Sequence, residues 1–168
     1  MRQAIFGAFI LVGLSVPNSL TAQTASPQEK LRRGEYLANI MDCAGCHTPG
    51  IFLGKPDMER RLAGSEVGFQ IPGLGTFFPP NLTPDRETGL GAWSEADIVK
   101  AVRQGARPDG RTLAPAMPYM SYGKLNDADA LALAAYLKSL KPIANRVPAI
   151  VGPNEKATAP YLSVNMPR

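Results

Sequence analysis

Apolar positions repeat at helical spacing in three stretches of the chain, and no stretch reads as a clear strand. The first opens at Ser26-Pro27-Gln28-Glu29, a capping box with proline at the first helical position. Leu31, Gly34, Leu37, Ile40 and Met41 then share one face, and the spacing predicts a helix that ends just before Cys43. The second stretch opens at Ser94 with Asp97 three residues on, runs through Ile98, Val99 and Val102, and stops at Gly105. The third opens at Asn126 with Asp129 in the matching place and continues through Leu131, Leu133, Ala134, Tyr136 and Leu137. Lys138 and Lys141 suit its negative end, and Pro142 stops it.

The connecting segments divide the chain. Between the first two helices lies a Gly/Pro-rich stretch, Thr48 to Trp93, and loops this long are usually functional or disordered. The end of the chain, Val147 to Arg168, holds four prolines and no helical period, so an extended tail is expected over the surface or a partner. At the other end, Arg2 precedes an apolar run, Ala4 to Val16, which Pro17-Asn18-Ser19 breaks before small residues near Ala22. That is the layout of a secretory signal peptide. The run falls short of the about 20 residues that a membrane-spanning helix needs. The expected organisation is therefore a signal peptide over 1–22, one domain over 26–145 and a Pro-rich tail over 146–168. No transmembrane anchor is expected in the mature chain, and the compartment expected is the periplasm.

Composition narrows the chemistry. The formal charge of +4 is modest and no block of Lys and Arg stands out, which argues against nucleic acid and allows at most weak steering of an acidic partner. Both cysteines and the single histidine fall in one pentapeptide, Cys43-Ala44-Gly45-Cys46-His47. The spacing C-x-x-C-H reads as a c-type haem attachment site, with Cys43 and Cys46 as thioethers and His47 on the iron. A thioredoxin-like dithiol would need a βαβ setting that the surrounding sequence lacks. A structural zinc site needs four ligands, and these three residues fall short. A plain disulfide leaves His47 without a role. A haem edge also gives the long loop an apolar object to pack on, which favours ordered wrapping.

A second axial ligand must come from elsewhere, and with one histidine a bis-histidine centre within the chain is excluded. Methionine is the alternative, since a thioether favours reduced iron. Met41 lies too close in sequence to Cys43, Met58 sits among charges, and Met166 is almost at the terminus. Met117 lies between Pro115 and Pro118, whose stiffness limits the entropy lost in holding a sulfur on iron. Met120 shares the loop and competes with it. Both methionines could instead fill an apolar core.

With these residues in view, the chain resembles the class I cytochromes c, and among them the cytochrome domains that serve periplasmic alcohol, aldehyde and sugar-acid dehydrogenases. The resemblance rests on Gly34-Glu35-Tyr36-Leu37, the haem pentapeptide, Asn81-Leu82-Thr83-Pro84-Asp85, Thr88-Gly89-Leu90-Gly91 with Trp93, and Pro115-Ala116-Met117-Pro118-Tyr119. Asp129 through Tyr136-Leu137 completes it, so it covers about Glu29 to Pro142. It implies an all-α class I fold, three main helices with long loops around one covalent haem c. It also implies Cys43 and Cys46 as the haem-bearing residues, His47 as the proximal ligand and Met117 as the distal one. The first and third helices would cross, with Gly34 making room for Tyr136. Asn81 and Trp93 could touch a haem propionate or be ordinary turn and core residues.

The expected function is electron transfer rather than catalysis: one electron at a time from a periplasmic dehydrogenase to another cytochrome or a terminal oxidase. Many relatives join three such domains, often with a membrane anchor, so a small subunit or diffusible shuttle is the expected form here. A haem enzyme or gas-binding protein is the alternative. It would need an open iron and a polar distal group, for which Arg103, Arg107 and Arg111 are the available side chains.

Overall fold

The structure, a computed structural model, describes residues 26–165 and 167; the expected signal peptide and Met166 lie outside the described residues. Helix α1 spans Pro27–Ile40. Its capping box forms as the sequence predicts, the Ser26 hydroxyl accepting from the Glu29 N–H while the Glu29 carboxylate accepts from the Ser26 N–H. A short helix, α2, follows at Cys43–His47. Helix α3 spans Glu95–Gln104, opened by a Ser94/Asp97 capping box and closed by Gly105 in the left-handed conformation at φ 70°. A single turn, α4, covers Tyr119–Tyr122, and α5 covers Asp127–Ser139 with Asn126 as its N-cap.

Helix α5 is the centre of the domain. Its Ala- and Leu-rich sequence lets α1 pack on one side and α3 on another, so Ala130, Ala132, Leu133, Ala134, Ala135, Tyr136 and Leu137 are all buried. The core joins Leu37 and Ala38 of α1, Ile98 of α3, and Leu133, Ala134, Tyr136 and Leu137 of α5 with Leu62 and Leu90 from the long loop. Each large apolar side chain buried there stabilises the fold by about 1.5–3 kcal/mol. Met41, Cys43 and Ala44 pack against the same cluster, which anchors the pentapeptide to the core. Lys138 ties α5 to the loop: its ammonium donates to the carbonyls of Leu90, Gly91 and Trp93 at 3.1, 3.0 and 2.8 Å.

The expectation of an all-α fold is corrected by a small three-stranded sheet. Strands β1 (Gly68–Ile71) and β2 (Gly75–Phe77) form an antiparallel hairpin with Phe69 opposite Phe77. Strand β3 (Tyr161–Leu162), from the C-terminal segment, pairs parallel with β1, giving the order β2-β1-β3. Val151 exchanges backbone hydrogen bonds of 2.8 and 3.0 Å with Thr76 in β2. The C-terminal segment therefore passes along both outer edges of the hairpin. These strands are too short to show an alternating pattern, and the long loop around them also contains 3-10 turns at Ile51–Leu53 and Met58–Arg60.

Candidate haem site

The site is built on the turn between α1 and α2. Asp42 adopts a left-handed conformation, φ 52° and ψ 41°, which reverses the chain after Met41 and starts α2 directly at Cys43. The Asp42 carboxylate then lies over Gly45, where a Cβ would collide with it. Within α2, Cys43 and Cys46 are three apart and so lie on one face of the helix. Both are free thiols. Burial pushes the Cys43 thiol up to about 11, and burial with the neighbouring Asp42 carboxylate also raises Cys46. Such thiols stay protonated at neutral pH, the opposite of what a redox-active dithiol needs.

His47 ends α2 and is buried. Its Nδ1 lies 2.7 Å from the carbonyl oxygen of Pro80. A carbonyl can only accept, so Nδ1 carries the proton and donates, which leaves the Nε2 lone pair available. Burial also lowers the imidazole's proton affinity, against the raising effect of the Pro80 bond, and so favours the neutral ring. A buried neutral imidazole held through its other nitrogen is the arrangement a metal-bound histidine uses. The following backbone is fixed too: the Gly64 N–H donates to the His47 carbonyl at 2.8 Å, and the Glu66 carboxylate accepts from the Gly50 N–H at 3.0 and 3.2 Å. Two thiols on one helical face with a pre-oriented imidazole beside them fit a covalent haem c.

The methionines differ in placement. Met117 is half-buried in the loop before α4, where its N–H donates to the Ala114 carbonyl at 3.0 Å and its carbonyl accepts from the Tyr119 N–H at 2.8 Å. Met120, on α4, is 71% exposed, and Met58 is 61% exposed. Met41 packs against the core. The Tyr122 hydroxyl donates to the Met41 carbonyl at 2.8 Å, bringing α4 against the segment that carries the pentapeptide. Tyr122 and Pro80 were not legible as site residues: a carbonyl carries no side-chain signature, and a tyrosine three residues after another, Tyr119, has many ordinary roles.

The remaining landmarks are occupied inside the protein. Asn81 is buried and uses its whole amide. Its N–H groups reach the Thr88 hydroxyl at 3.1 Å and the Ile143 carbonyl at 2.7 Å, and its oxygen accepts from the Thr83 N–H and hydroxyl at 2.9 and 2.7 Å. That leaves no polar valence for a haem propionate. Trp93 lies under the Arg107 guanidinium, 5.0 Å from the ring centroid. Arg103 pairs with Asp127 at 2.6 Å, and Arg107 and Arg111 pair with Asp109 at 3.2 and 2.7 Å. The three arginines that a distal acid/base role would draw on are thus engaged in ion pairs.

Comparison with known proteins places the chain. The cytochrome c family model matches residues 31–141, and the chain belongs to the cytochrome c family. It is 44% identical over 119 residues to a subunit of the nicotinate dehydrogenase of Pseudomonas putida, covering 71% of this chain and 9% of that protein. It is 38% identical over 146 residues to the cytochrome c subunit of the quinone alcohol dehydrogenase of Gluconobacter oxydans, covering 84% and 29%. A diheme cytochrome c-type protein of Cereibacter sphaeroides is 36% identical over 110 residues, covering 66% and 36%. The chain therefore spans little more than a third, or less, of the length of these relatives. Membership of the family implies covalently bound haem c. No described helix is long and apolar enough to cross a membrane.

Proposed function

We propose that this chain is a periplasmic mono-haem c-type cytochrome that passes single electrons from a partner dehydrogenase to a downstream acceptor. The observation that carries the reading is the His47–Pro80 hydrogen bond of 2.7 Å, which orients a buried neutral imidazole next to two cysteines on one helical face. The chain's only two cysteines belong to that one pentapeptide, which supports a single haem. The partner class follows from the dehydrogenase names of two relatives, and the compartment from the signal-peptide layout at 1–22. The acceptor is proposed to be another cytochrome or a terminal oxidase.

When bound, haem c supplies a one-electron Fe(III)/Fe(II) couple. Cys43 and Cys46 would hold it, and His47 and Met117 would be its axial ligands. The protein's part is to keep these groups fixed. Helix α2 is braced by the core beneath Cys43 and Ala44, and the imidazole is braced by Pro80. The half-buried Met117 in its hydrogen-bonded loop is better suited to hold a sulfur still than the exposed Met120. Ile40, 59% exposed, and Met120 lie close in sequence to the residues of the Tyr122–Met41 bond and offer apolar surface for a small, transient partner contact. No proton-transfer residue is required, and none is assigned a catalytic role.

The test is the optical spectrum of periplasmically matured protein in both redox states, beside a Met117→Ala variant. The expected result is a low-spin wild type whose ferric form shows the weak near-infrared sulfur-to-iron band, absent from the variant. A high-spin wild type that binds CO without delay would overturn the reading in favour of an open iron.

A further inference from the structure

The loop that carries Met117 is tied down on both sides, and the ties differ in what they reach. Before Met117, Ala106 and Thr112 form a β-bridge and the Leu113 N–H donates to the Gly105 carbonyl at 2.8 Å. After it, the Tyr119 ring covers Gly105, where a Cβ would sit 3.0 Å from the ring, and Gly123 lies against the Arg103 carbonyl. All of these hold the loop to the C-terminal end of α3. The Tyr122 hydroxyl, by contrast, donates 2.8 Å across to the Met41 carbonyl, which belongs to the C-cap of α1 beside the pentapeptide.

We propose that Tyr122 is a positioning residue for the axial sulfur, its hydroxyl latching the Met117 loop to the helix that carries the haem-attachment segment. The inference rests on Met117 being the distal ligand. Carbonyls at the end of an α-helix lack an intrahelical partner, so the Met41 oxygen is a natural receiver for a donor from another element. Tyr122 is half-buried, and burial raises its phenol, so the hydroxyl keeps the proton that it donates. A ligand on a loop competes for the metal through the fraction of time the loop holds it in place. A tie from that loop to the segment that carries the pentapeptide raises that fraction by reducing the freedom lost on binding. The role assigned to Tyr122 is to act through Met117, not to ligate.

The experiment compares wild type, Tyr122→Phe, Tyr122→Leu and, as a control on the same turn, Tyr119→Phe, all as matured full-length protein. Two quantities are read on the ferric protein: the near-infrared sulfur-to-iron band, and the affinity for added imidazole, which must displace the axial sulfur to bind. Both Tyr122 variants are expected to bind imidazole roughly fivefold more tightly than wild type, the factor expected for the loss of one such hydrogen bond. Their near-infrared band should be weakened, while Tyr119→Phe stays like wild type. Lower melting temperature with unchanged imidazole affinity in both Tyr122 variants would make the hydroxyl merely structural and overturn the inference. Equal tightening in Tyr119→Phe would overturn it as well. Absence of the near-infrared band from the wild type would instead bring down the Met117 reading, and this inference with it, before any Tyr122 variant is consulted.

Discussion

Tyr136 and Gly34 meet where α1 crosses α5, so closely that a Cβ on Gly34 would lie 2.6 Å from the Tyr136 Cβ and collide with the carbonyl of Ala132. Two effects oppose each other in Gly34→Ala. Alanine is favoured over glycine inside a helix by about 1 kcal/mol. Overpacking against backbone that cannot rotate away costs about 1–3 kcal/mol and occasionally more. The clash reaches a main-chain oxygen as well as a side chain, so the second effect wins. Gly34→Ala is expected to lower stability by about 2 kcal/mol, read as a lower urea midpoint at unchanged slope.

Asn81→Ala should separate a structural asparagine from a haem contact. The substitution removes four hydrogen bonds in a buried network and leaves the Ile143 carbonyl without one of its donors. A loss of about 2–4 kcal/mol is expected. Because the amide is fully used within the protein, the reduction potential of the variant that remains folded should match wild type. A shifted potential with little loss of stability would contradict the network as described.

Met120→Ala tests which methionine matters without disturbing the core. Its side chain is 71% exposed, so the expected change in stability lies within about 0.5 kcal/mol and the ferric spectrum should be unaltered. Loss of the near-infrared band in this variant, and its survival in Met117→Ala, would exchange the roles of the two residues.

The ion pair between Arg33 and Asp129, with bonds of 2.7 and 3.0 Å, joins α1 to α5 and sets a pH dependence. The Arg33 guanidinium holds the Asp129 carboxyl below its ordinary range. A carboxylate with a lowered folded value contributes stability above its unfolded value of about 3.9 and loses it as the pH falls through the folded value. The Arg33 side chain is half-exposed, so the contribution is small. Asp129→Asn is expected to melt ~1–3 °C below wild type from neutral pH down to about pH 5, with the gap closing below about pH 4.

The three long helices were legible because their signals are local and repeated. Ser26, Ser94 and Asn126 mark the starts, and each is an N-cap in the structure. The crossing of α1 and α5 was foreseen through the family resemblance, which gave Gly34 and Tyr136 their partnership. The hairpin could have been read from Pro72-Gly73 set between Phe69-Gln70-Ile71 and Thr76-Phe77, a turn signal with strand-forming residues on either side. Strand β3 could not, because two residues carry no period and its pairing depends on a partner far away in sequence. The same holds for Pro80 and Tyr122, whose roles come from a carbonyl and a hydroxyl brought into place by distant segments.

The parallel pairing of β3 with β1 also bears on the order of assembly. It closes a loop that contains all of α3, α4 and α5, and contacts so distant in sequence carry a large entropic cost that must be met before they return anything. The packing of α1 on α5 spans as much chain, Arg33 reaching Asp129 and Gly34 lying against Ala132, but it buries the apolar core, whereas the strap adds only a two-residue strand and the Val151–Thr76 bridge. The helices can therefore collect around α5 without the strap. Residues 62–66, which brace the backbone beyond His47, lead directly into β1. Without the strap, that wall of the site would have one edge unpaired. Shortening the chain before residue 161 should therefore leave the helical core and the pentapeptide in place while costing the finished protein part of its resistance to unfolding.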